Sequence, residues 1–115
     1  MAEDKRLICA STALAETGQG FRFRVTHRQR ESDAFVVRFR GRVFGYLNEC
    51  GHVPAQLDWL PGEFFDDSKL YLICATHGAM YLPHTGVCVM GPCKGKRLKA
   101  LATVERDGQV LLLKE

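Results

Sequence analysis

The sequence contains no apolar run long enough to cross a membrane, and it carries little net charge. A spanning helix needs roughly 18 apolar residues, and no stretch of this 115-residue chain approaches that length. The opening residues, MAEDKRLICASTALAE, lack the apolar segment of a secretion signal. The net charge of +3 is too small to indicate nucleic-acid binding. We therefore expect a cytoplasmic protein with neither a membrane nor a nucleic acid as partner.

Helical periodicity is almost absent, and the only weak instance lies around residues 11–17. The hydrophobic pattern repeats instead every two residues, as in Phe21, Phe23 and Val25, which alternate with polar residues. Residues 35–39 follow the same pattern. Because successive side chains of a strand point to opposite faces, these segments are predicted to be strands buried on one face. The length fits one domain, and we predict an all-β fold of short antiparallel strands.

Three hairpins are predicted from turn residues between strand-like segments. FVVRFRGRVFGYL turns near Gly41, and LATVERDGQVLLLK turns at Asp107-Gly108, a pair that tolerates positive φ. AMYLPHTGVCVM turns at His84-Thr85-Gly86. A short apolar strand, LYLICA, runs directly into Cys74.

The cysteine count is odd, which argues against a disulfide framework. Five cysteines in a cytoplasmic protein favour metal binding for at least some of the thiols. Cys9 lies in an apolar segment and is predicted to be a small core residue. Cys88 and Cys93 could form a disulfide or a second metal site, but we predict two free thiols.

Four potential metal ligands occur as two mixed pairs. Cys50 and His52 form a C-x-H motif, and after 21 intervening residues Cys74 and His77 form C-x-x-H. Zinc fingers usually present cysteines from one knuckle and histidines from a helix, whereas here each loop carries one of each. Mixed pairs suit a binuclear centre in which each loop gives its thiolate to one metal and its imidazole to the other. A structural zinc site remains an alternative.

These motifs resemble the Rieske [2Fe–2S] family, in which two cysteines bind one iron and two histidines the other. CATHGAMYLPHTG is similar to the family's second motif, and MGPCKGKRL is similar to its proline loop, the segment that covers the cluster. Leu57 stands where the family has an apolar residue after its first motif. The resemblance implies one [2Fe–2S] cluster per chain, with the cofactor-binding and metal-ligating residues Cys50, His52, Cys74 and His77.

Several positions depart from the family pattern. Pro54 and Ala75 replace a common glycine and a common proline, which concerns loop geometry rather than ligation. Ala55 and Thr76 occupy the positions of an additional disulfide in respiratory Rieske proteins. Ala79 replaces a serine that donates a hydrogen bond to a cluster sulfur in those proteins, although Tyr81 matches their tyrosine. The chain therefore resembles soluble Rieske-type ferredoxins more than respiratory subunits.

The resemblance also implies an architecture and a function. We expect the Rieske fold, an antiparallel β-sandwich-like base over residues 1–47 and 92–115 with a cluster-binding subdomain inserted at 48–91. With neutral imidazoles, the charges of two ferric ions, two sulfides and two thiolates cancel, so the oxidised site should accept an electron more readily than an all-cysteine site. Because protein ligands fill every iron position, one-electron transfer is the expected activity, and not catalysis. The expected partners are a reductase and an oxygenase; the alternative is the small subunit of a larger reductase, such as nitrite reductase.

The remaining conspicuous residues receive structural interpretations. His27 and His84 are predicted to lie on the surface. Trp59, Phe64 and Phe65 are predicted to be core or loop-anchoring residues. Residues 49–67 contain five acidic residues and neither Lys nor Arg, whereas Lys94, Lys96, Arg97 and Lys99 follow the proline loop. This asymmetry is equally consistent with a solvated surface and with electrostatic guidance of redox partners.

Overall fold

The computed structural model describes residues 6–27, 29–49, 56–58, 60–74, 78–91 and 95–113, with the backbone alone at position 27. These residues form ten strands and one short 3-10 turn, Ser11–Ala13. The strands are β1 (Arg6–Ala10), β2 (Phe21–His27), β3 (Arg30–Phe39), β4 (Arg42–Leu47), β5 (Leu72–Ile73), β6 (Met80–Tyr81), β7 (Cys88–Met90), β8 (Ala100–Leu101), β9 (Thr103–Arg106) and β10 (Gln109–Leu112). The all-β prediction is confirmed, and the weak helical pattern at residues 11–17 corresponds to no more than the 3-10 turn.

The strands form three small antiparallel sheets. One has the order β1-β10-β9, the second β2-β3-β4-β8, and the third β5-β6-β7. The first two are built from strands within residues 6–47 and 100–112, and the third from strands between residues 72 and 90. The third sheet contains the strand that leads into Cys74.

All three predicted hairpins are present. Arg40 and Gly41 connect β3 to β4, and Asp107 and Gly108 connect β9 to β10; all four have positive φ, between 53° and 77°. A two-residue hairpin turn with positive φ at both positions matches the right-handed twist of its strands. The third hairpin joins β6 to β7 through residues 82–87.

Strand β3 separates two buried clusters. Its residues 34–37 are all fully buried, so the expectation of burial on one face alone is wrong for this strand. Phe35 and Val37 belong to a cluster that also contains Tyr46, Leu57, Phe64, Leu72, Cys74, Ala79, Tyr81, Cys88 and Leu98, here called the site-side core. Ala34 and Val36 belong to a cluster that also contains Ile8, Cys9, Leu14, Val25, Leu47, Val110 and Leu112, here called the base core. Strand β3 therefore contributes side chains to both cores.

Arg38 connects β3 to the neighbouring sheet. Its guanidinium donates to Glu105 on β9 at 2.6 and 3.0 Å, and to the carbonyl oxygens of Leu14 and Ser11 at 2.8 and 3.2 Å. The hydrogen bond from Arg38 lowers the pKa of Glu105 to about 2. These contacts join two sheets that share no strand.

Within the described part of the chain, no helix is long and apolar enough to span a membrane.

Candidate metal centre

Cys74 is the one proposed ligand whose position the structure describes; Cys50, His52 and His77 lie outside the described residues. Cys74 directly follows β5, as the apolar segment LYLICA predicts, and it is fully buried. It shares the site-side core with Leu57, the apolar residue expected after the first motif, and with Tyr81. The structure thus brings residues of both motifs, including one proposed ligand, into the same buried cluster.

Backbone hydrogen bonds close the second ligand loop. The amide of Cys74 donates to the carbonyl oxygen of Ala79 at 2.8 Å, and the amide of Gly78 donates to that of Cys74 at 2.7 Å. Gly78 has a φ of +72°, a conformation that residues with a Cβ rarely adopt. The glycine after His77 therefore allows the chain to turn back onto Cys74.

The segment that leads into the proline loop packs directly against this second loop. A Cβ added to Gly91 would lie 2.7 Å from Cα of Ala79, and Gly91 has a φ of +102°. Residues 92–94, the centre of the predicted proline loop, lie outside the described residues. Absence of a side chain at position 91 therefore allows the two segments to approach each other.

Two side chains connect the ends of the first ligand loop. Asn48, directly after β4, accepts a hydrogen bond from the amide of Leu57 at 2.9 Å and donates to Asp58 at 3.0 Å. Asp58 also accepts from the amide of Gly62 at 2.9 Å, and its carboxylate lies 3.4 Å from the guanidinium of Arg22. Neither Asn48 nor Asp58 was identified from the sequence. The sequence feature that could have indicated this contact is the position of two short polar residues on either side of the C-x-H motif, each directly after a leucine.

Tyr46 on β4 contacts the β6–β7 turn. Its hydroxyl donates to the carbonyl oxygen of Pro83 at 2.7 Å, and its ring fills the space beside Gly86, where a Cβ would lie 2.7 Å from a ring carbon. Burial raises the pKa of Tyr46 to about 12, although the positive charge of Arg97 opposes the shift. This contact fixes the far end of the hairpin whose other end adjoins Cys74.

A protein-family model matches most of the chain. The family model of the Rieske [2Fe-2S] domain matches residues 4–106. The chain belongs to the Rieske [2Fe–2S] family. This confirms the resemblance drawn from the two Cys/His motifs, and it means that the domain is of a kind that binds a [2Fe–2S] cluster.

Solved structures show that the Rieske domain has the fold of known ferredoxins. The ferredoxin of carbazole 1,9a-dioxygenase from Nocardioides aromaticivorans IC177 matches with a TM-score of 0.75 at 22% identity, over 96% of this chain and 98% of that chain. The Sphingomonas yanoikuyae B1 ferredoxin matches with a TM-score of 0.73 at 22% identity, over 97% and 100%. A chain from the complex of reduced oxygenase and oxidized ferredoxin in carbazole 1,9a-dioxygenase matches with a TM-score of 0.74 at 18% identity, over 99% and 96%. The search of curated proteins gave no match.

The environment of Cys74 fits a cluster ligand of this Rieske domain. A buried thiolate in apolar surroundings is costly unless a positive charge compensates it, and iron supplies such a charge. Cys74 is buried at the end of a strand and among apolar residues, where a neutral thiol or a metal-bound thiolate is stable. The structure therefore agrees with Cys74 as a thiolate ligand.

The other conspicuous residues of the Rieske domain can be compared with their interpretations. Cys9 is buried in the base core, as expected. Phe64 stacks on Phe35 with ring centroids 3.9 Å apart, and Phe65 packs near Phe39, so both anchor their segment to the core as predicted. His84 is exposed as predicted.

The predictions for the remaining cysteines and the first motif stay open. Cys88 is buried, and its thiol donates to the carbonyl oxygen of Met90 at 3.3 Å. Its predicted relation to Cys93 is untested because Cys93 lies outside the described residues. The same is true of the interpretations given to Pro54, Ala55, Trp59, Ala75, Thr76 and the side chain of His27.

Proposed function

We propose that this Rieske domain is a ferredoxin that carries single electrons from a reductase to an oxygenase. The observation that carries the proposal is its match to the ferredoxin of carbazole 1,9a-dioxygenase over almost the full length of both chains. Another similar chain comes from a complex of an oxygenase with its ferredoxin. In this role the domain would be an electron carrier and not an enzyme on its own.

The proposed ligands are Cys50 and Cys74 on one iron and His52 and His77 on the other. Family membership, the spacing of the two motifs and the buried position of Cys74 support this set. When bound, a cluster with these ligands accepts and returns one electron, within a potential range of about −150 to +300 mV. The protein's own part would be to present the four side chains from the two loops and to bury the Cys74 thiolate.

The proposed organisation is a base over residues 1–47 and 92–115 with a cluster-binding subdomain at 48–91. The grouping of β5, β6 and β7 into a sheet of their own supports this division. The site-side core extends across it, because Phe35 and Tyr46 of the base pack with Leu72 and Tyr81. We also propose that the protein acts in the cytoplasm, where its five cysteines would remain reduced or metal-bound.

Analysis of iron, zinc and acid-labile sulfide in anaerobically purified protein tests the cofactor. We expect two irons and two sulfides per chain, whereas one zinc without sulfide would overturn the proposal in favour of a structural zinc site. Stopped-flow mixing of the reduced protein with a Rieske oxygenase then tests the role. Rapid oxidation supports a ferredoxin, and transfer only within a stable complex with a reductase large subunit would favour the alternative.

Voltammetry across a wide pH range tests the histidine ligands. An iron-bound imidazole that keeps a proton on its second nitrogen has a lower pKa in the oxidised state, because the ferric charge disfavours that proton. Reduction raises this pKa, so reduction takes up a proton at pH values above the oxidised-state pKa. We expect a potential that is flat at low pH and falls at alkaline pH. A constant potential into strongly alkaline solution, with the cluster intact, would contradict His52 and His77 as ligands.

A further inference from the structure

The two ends of the first ligand loop, at Asn48 and at Leu57, are joined through two buried polar side chains, Asn48 and Asp58. Asn48 is 1% exposed and Asp58 is 7% exposed, and they are the buried polar residues within the described part of the chain. Burial of polar groups is costly unless their hydrogen bonds are satisfied. The amide of Asn48 uses both its oxygen and its nitrogen, and both carboxylate oxygens of Asp58 accept hydrogen bonds.

These contacts join positions on either side of Cys50 and His52. Asn48 lies two residues before Cys50, and Leu57 lies five residues after His52. The bond from the amide of Leu57 to the side chain of Asn48 therefore closes the segment that carries both ligands. Asp58 extends the closure, since it is held in turn by the amide of Gly62 and by Arg22 of β2. The backbone amide of Asn48 donates to the carbonyl oxygen of Asp33 at 2.8 Å, which fixes this assembly to β3.

The two ligand loops are held by different kinds of contact. Backbone bonds between Cys74, Gly78 and Ala79 close the second loop. At the first loop, the described residues on either side of the C-x-H motif contact each other through the side chains of Asn48 and Asp58. Hydrogen bonds made by side chains can be removed by substitution, whereas the backbone amides and carbonyls of the loop stay unchanged.

We propose that Asn48 and Asp58 are positioning residues that hold the two ends of the first ligand loop together and thereby slow the loss of the cluster. The proposal rests on the ligand set given under the proposed function. If the two ends of the loop were free, binding of the metal by both Cys50 and His52 would also cost the conformational entropy of bringing those ends together. Because Asn48 and Asp58 already join the two ends of the loop, part of that entropy cost is met before the metal binds, which favours the bound state of both ligands.

Asn48→Ala, Asp58→Asn and the control Gln56→Ala in the holoprotein test this proposal. Gln56 bonds to Arg22 at 3.1 Å and to Asp33 at 2.6 Å, so the control variant removes exposed hydrogen bonds at the same end of the loop. Three quantities are measured: the rate at which visible absorbance is lost to an excess of chelator, hydrogen exchange at Leu57 and Gly62, and the EPR spectrum of the reduced state.

We expect chelator-driven cluster loss to accelerate about 10- to 100-fold in Asn48→Ala, the scale typical of residues that support metal ligands. Asp58→Asn keeps the shape but has one acceptor oxygen fewer, so its acceleration should be intermediate. In both variants, hydrogen exchange at the amide of Leu57 should accelerate along with cluster loss, and the EPR lines should broaden. The amides of β3 and β9 should keep their wild-type exchange rates. Gln56→Ala should stay within about twofold of wild type, as expected for exposed hydrogen bonds.

A wild-type rate of cluster loss in Asn48→Ala, with faster exchange at Leu57, would overturn the positioning role. Equal acceleration of exchange in β3 and β9 would also overturn it, because the pair would then be structural only. If Asn48→Ala does not fold, the same outcomes are read from Asp58→Asn. Failure of the proposed function has a different signature: the wild-type protein would contain no iron and sulfide, whatever the exchange rates of its amides.

Discussion

Ala79 lies fully buried in the loop that begins at Cys74, and its side chain has no hydrogen-bond donor. Donors to cluster sulfurs stabilise the additional negative charge of the reduced state and so raise the potential. We therefore expect a wild-type potential toward the lower end of the Rieske range. Ala79→Ser should raise it by about 40 mV, the equivalent of one net hydrogen bond of about 1 kcal/mol for a one-electron couple.

Protein-film voltammetry measures this change. Ala79→Cys is the matched control, because it adds a side-chain atom of similar size with a much weaker donor. A wild-type potential near the top of the range, or an equal shift in both variants, would contradict the argument.

Tyr46 makes a second prediction at the residue scale, which concerns stability at alkaline pH. The pKa of Tyr46 is about 12 in the folded protein, compared with 10.0 for an unperturbed tyrosine. Between these values the unfolded chain loses the proton while the folded protein keeps it, so stability falls as pH rises from 10 toward 12. The fall attributable to Tyr46 should approach about 1.4 kcal/mol per pH unit.

Urea unfolding of the wild type and Tyr46→Phe at several pH values tests this. Below pH 10 the variant should be less stable by roughly 1–2 kcal/mol, because the carbonyl of Pro83 loses its buried donor. That difference should shrink as pH rises above 10. A difference that stays constant up to pH 12 would show that folding does not raise the pKa of Tyr46.

At the scale of strands and sheets, local sequence predicts some features much better than others. The Asp107-Gly108 turn and the Arg40-Gly41 region are predictable because positive φ is a property of the turn residues themselves. Burial of residues 34–37 on both faces of β3 is not predictable in this way, because the sequence of the strand does not show which sheets and loops cover each face. The contact between Asn48 and Asp58 is likewise not predictable from local sequence, because only the tertiary fold brings together these two positions, which are ten residues apart.

The connection between β3 and β9 yields a prediction at this scale. The pKa of Glu105 is about 2 in the folded protein, against 4.5 when unperturbed, because Arg38 donates to it. The stability from this pair is present above pH 4.5 and is lost as pH falls from 4.5 toward 2. Glu105 is partly exposed, so Glu105→Gln should cost about 1 kcal/mol at neutral pH and almost nothing near pH 2.

Thermal unfolding across this pH range provides the measurement, with Glu31→Gln as the control. Glu31 forms an exposed ion pair with Arg24 at 3.3 Å and should contribute little at any pH. Equal effects of the two substitutions would show that the contact between the sheets adds nothing beyond an ordinary surface pair.

At the scale of the whole molecule, we expect the two buried clusters to differ in how far their stability depends on the proposed metal centre. The site-side core contains Cys74 itself, whereas the base core is built from β1, β2, β3, β4 and β10. Because metal binding supplies folding free energy to the loops that provide the ligands, its loss should affect the site-side core first. The long hairpin of β3 and β4 should persist, since its other face still packs on the base core.

Cys74→Ser tests this division. The variant should lose the visible spectrum of the cluster, because the hydroxyl is a poor substitute for a thiolate ligand of iron. Hydrogen exchange should accelerate at the amides of Ile73 and Leu82, which bond within the site-side half, while amides of β1 and β10 keep most of their protection. Cys9→Ser is the control, because it changes a buried thiol of the base core and should leave the spectrum intact.

An unchanged spectrum in Cys74→Ser would remove that residue from the metal centre. Uniform acceleration throughout the chain would show instead that the domain unfolds as one unit when the cluster is lost.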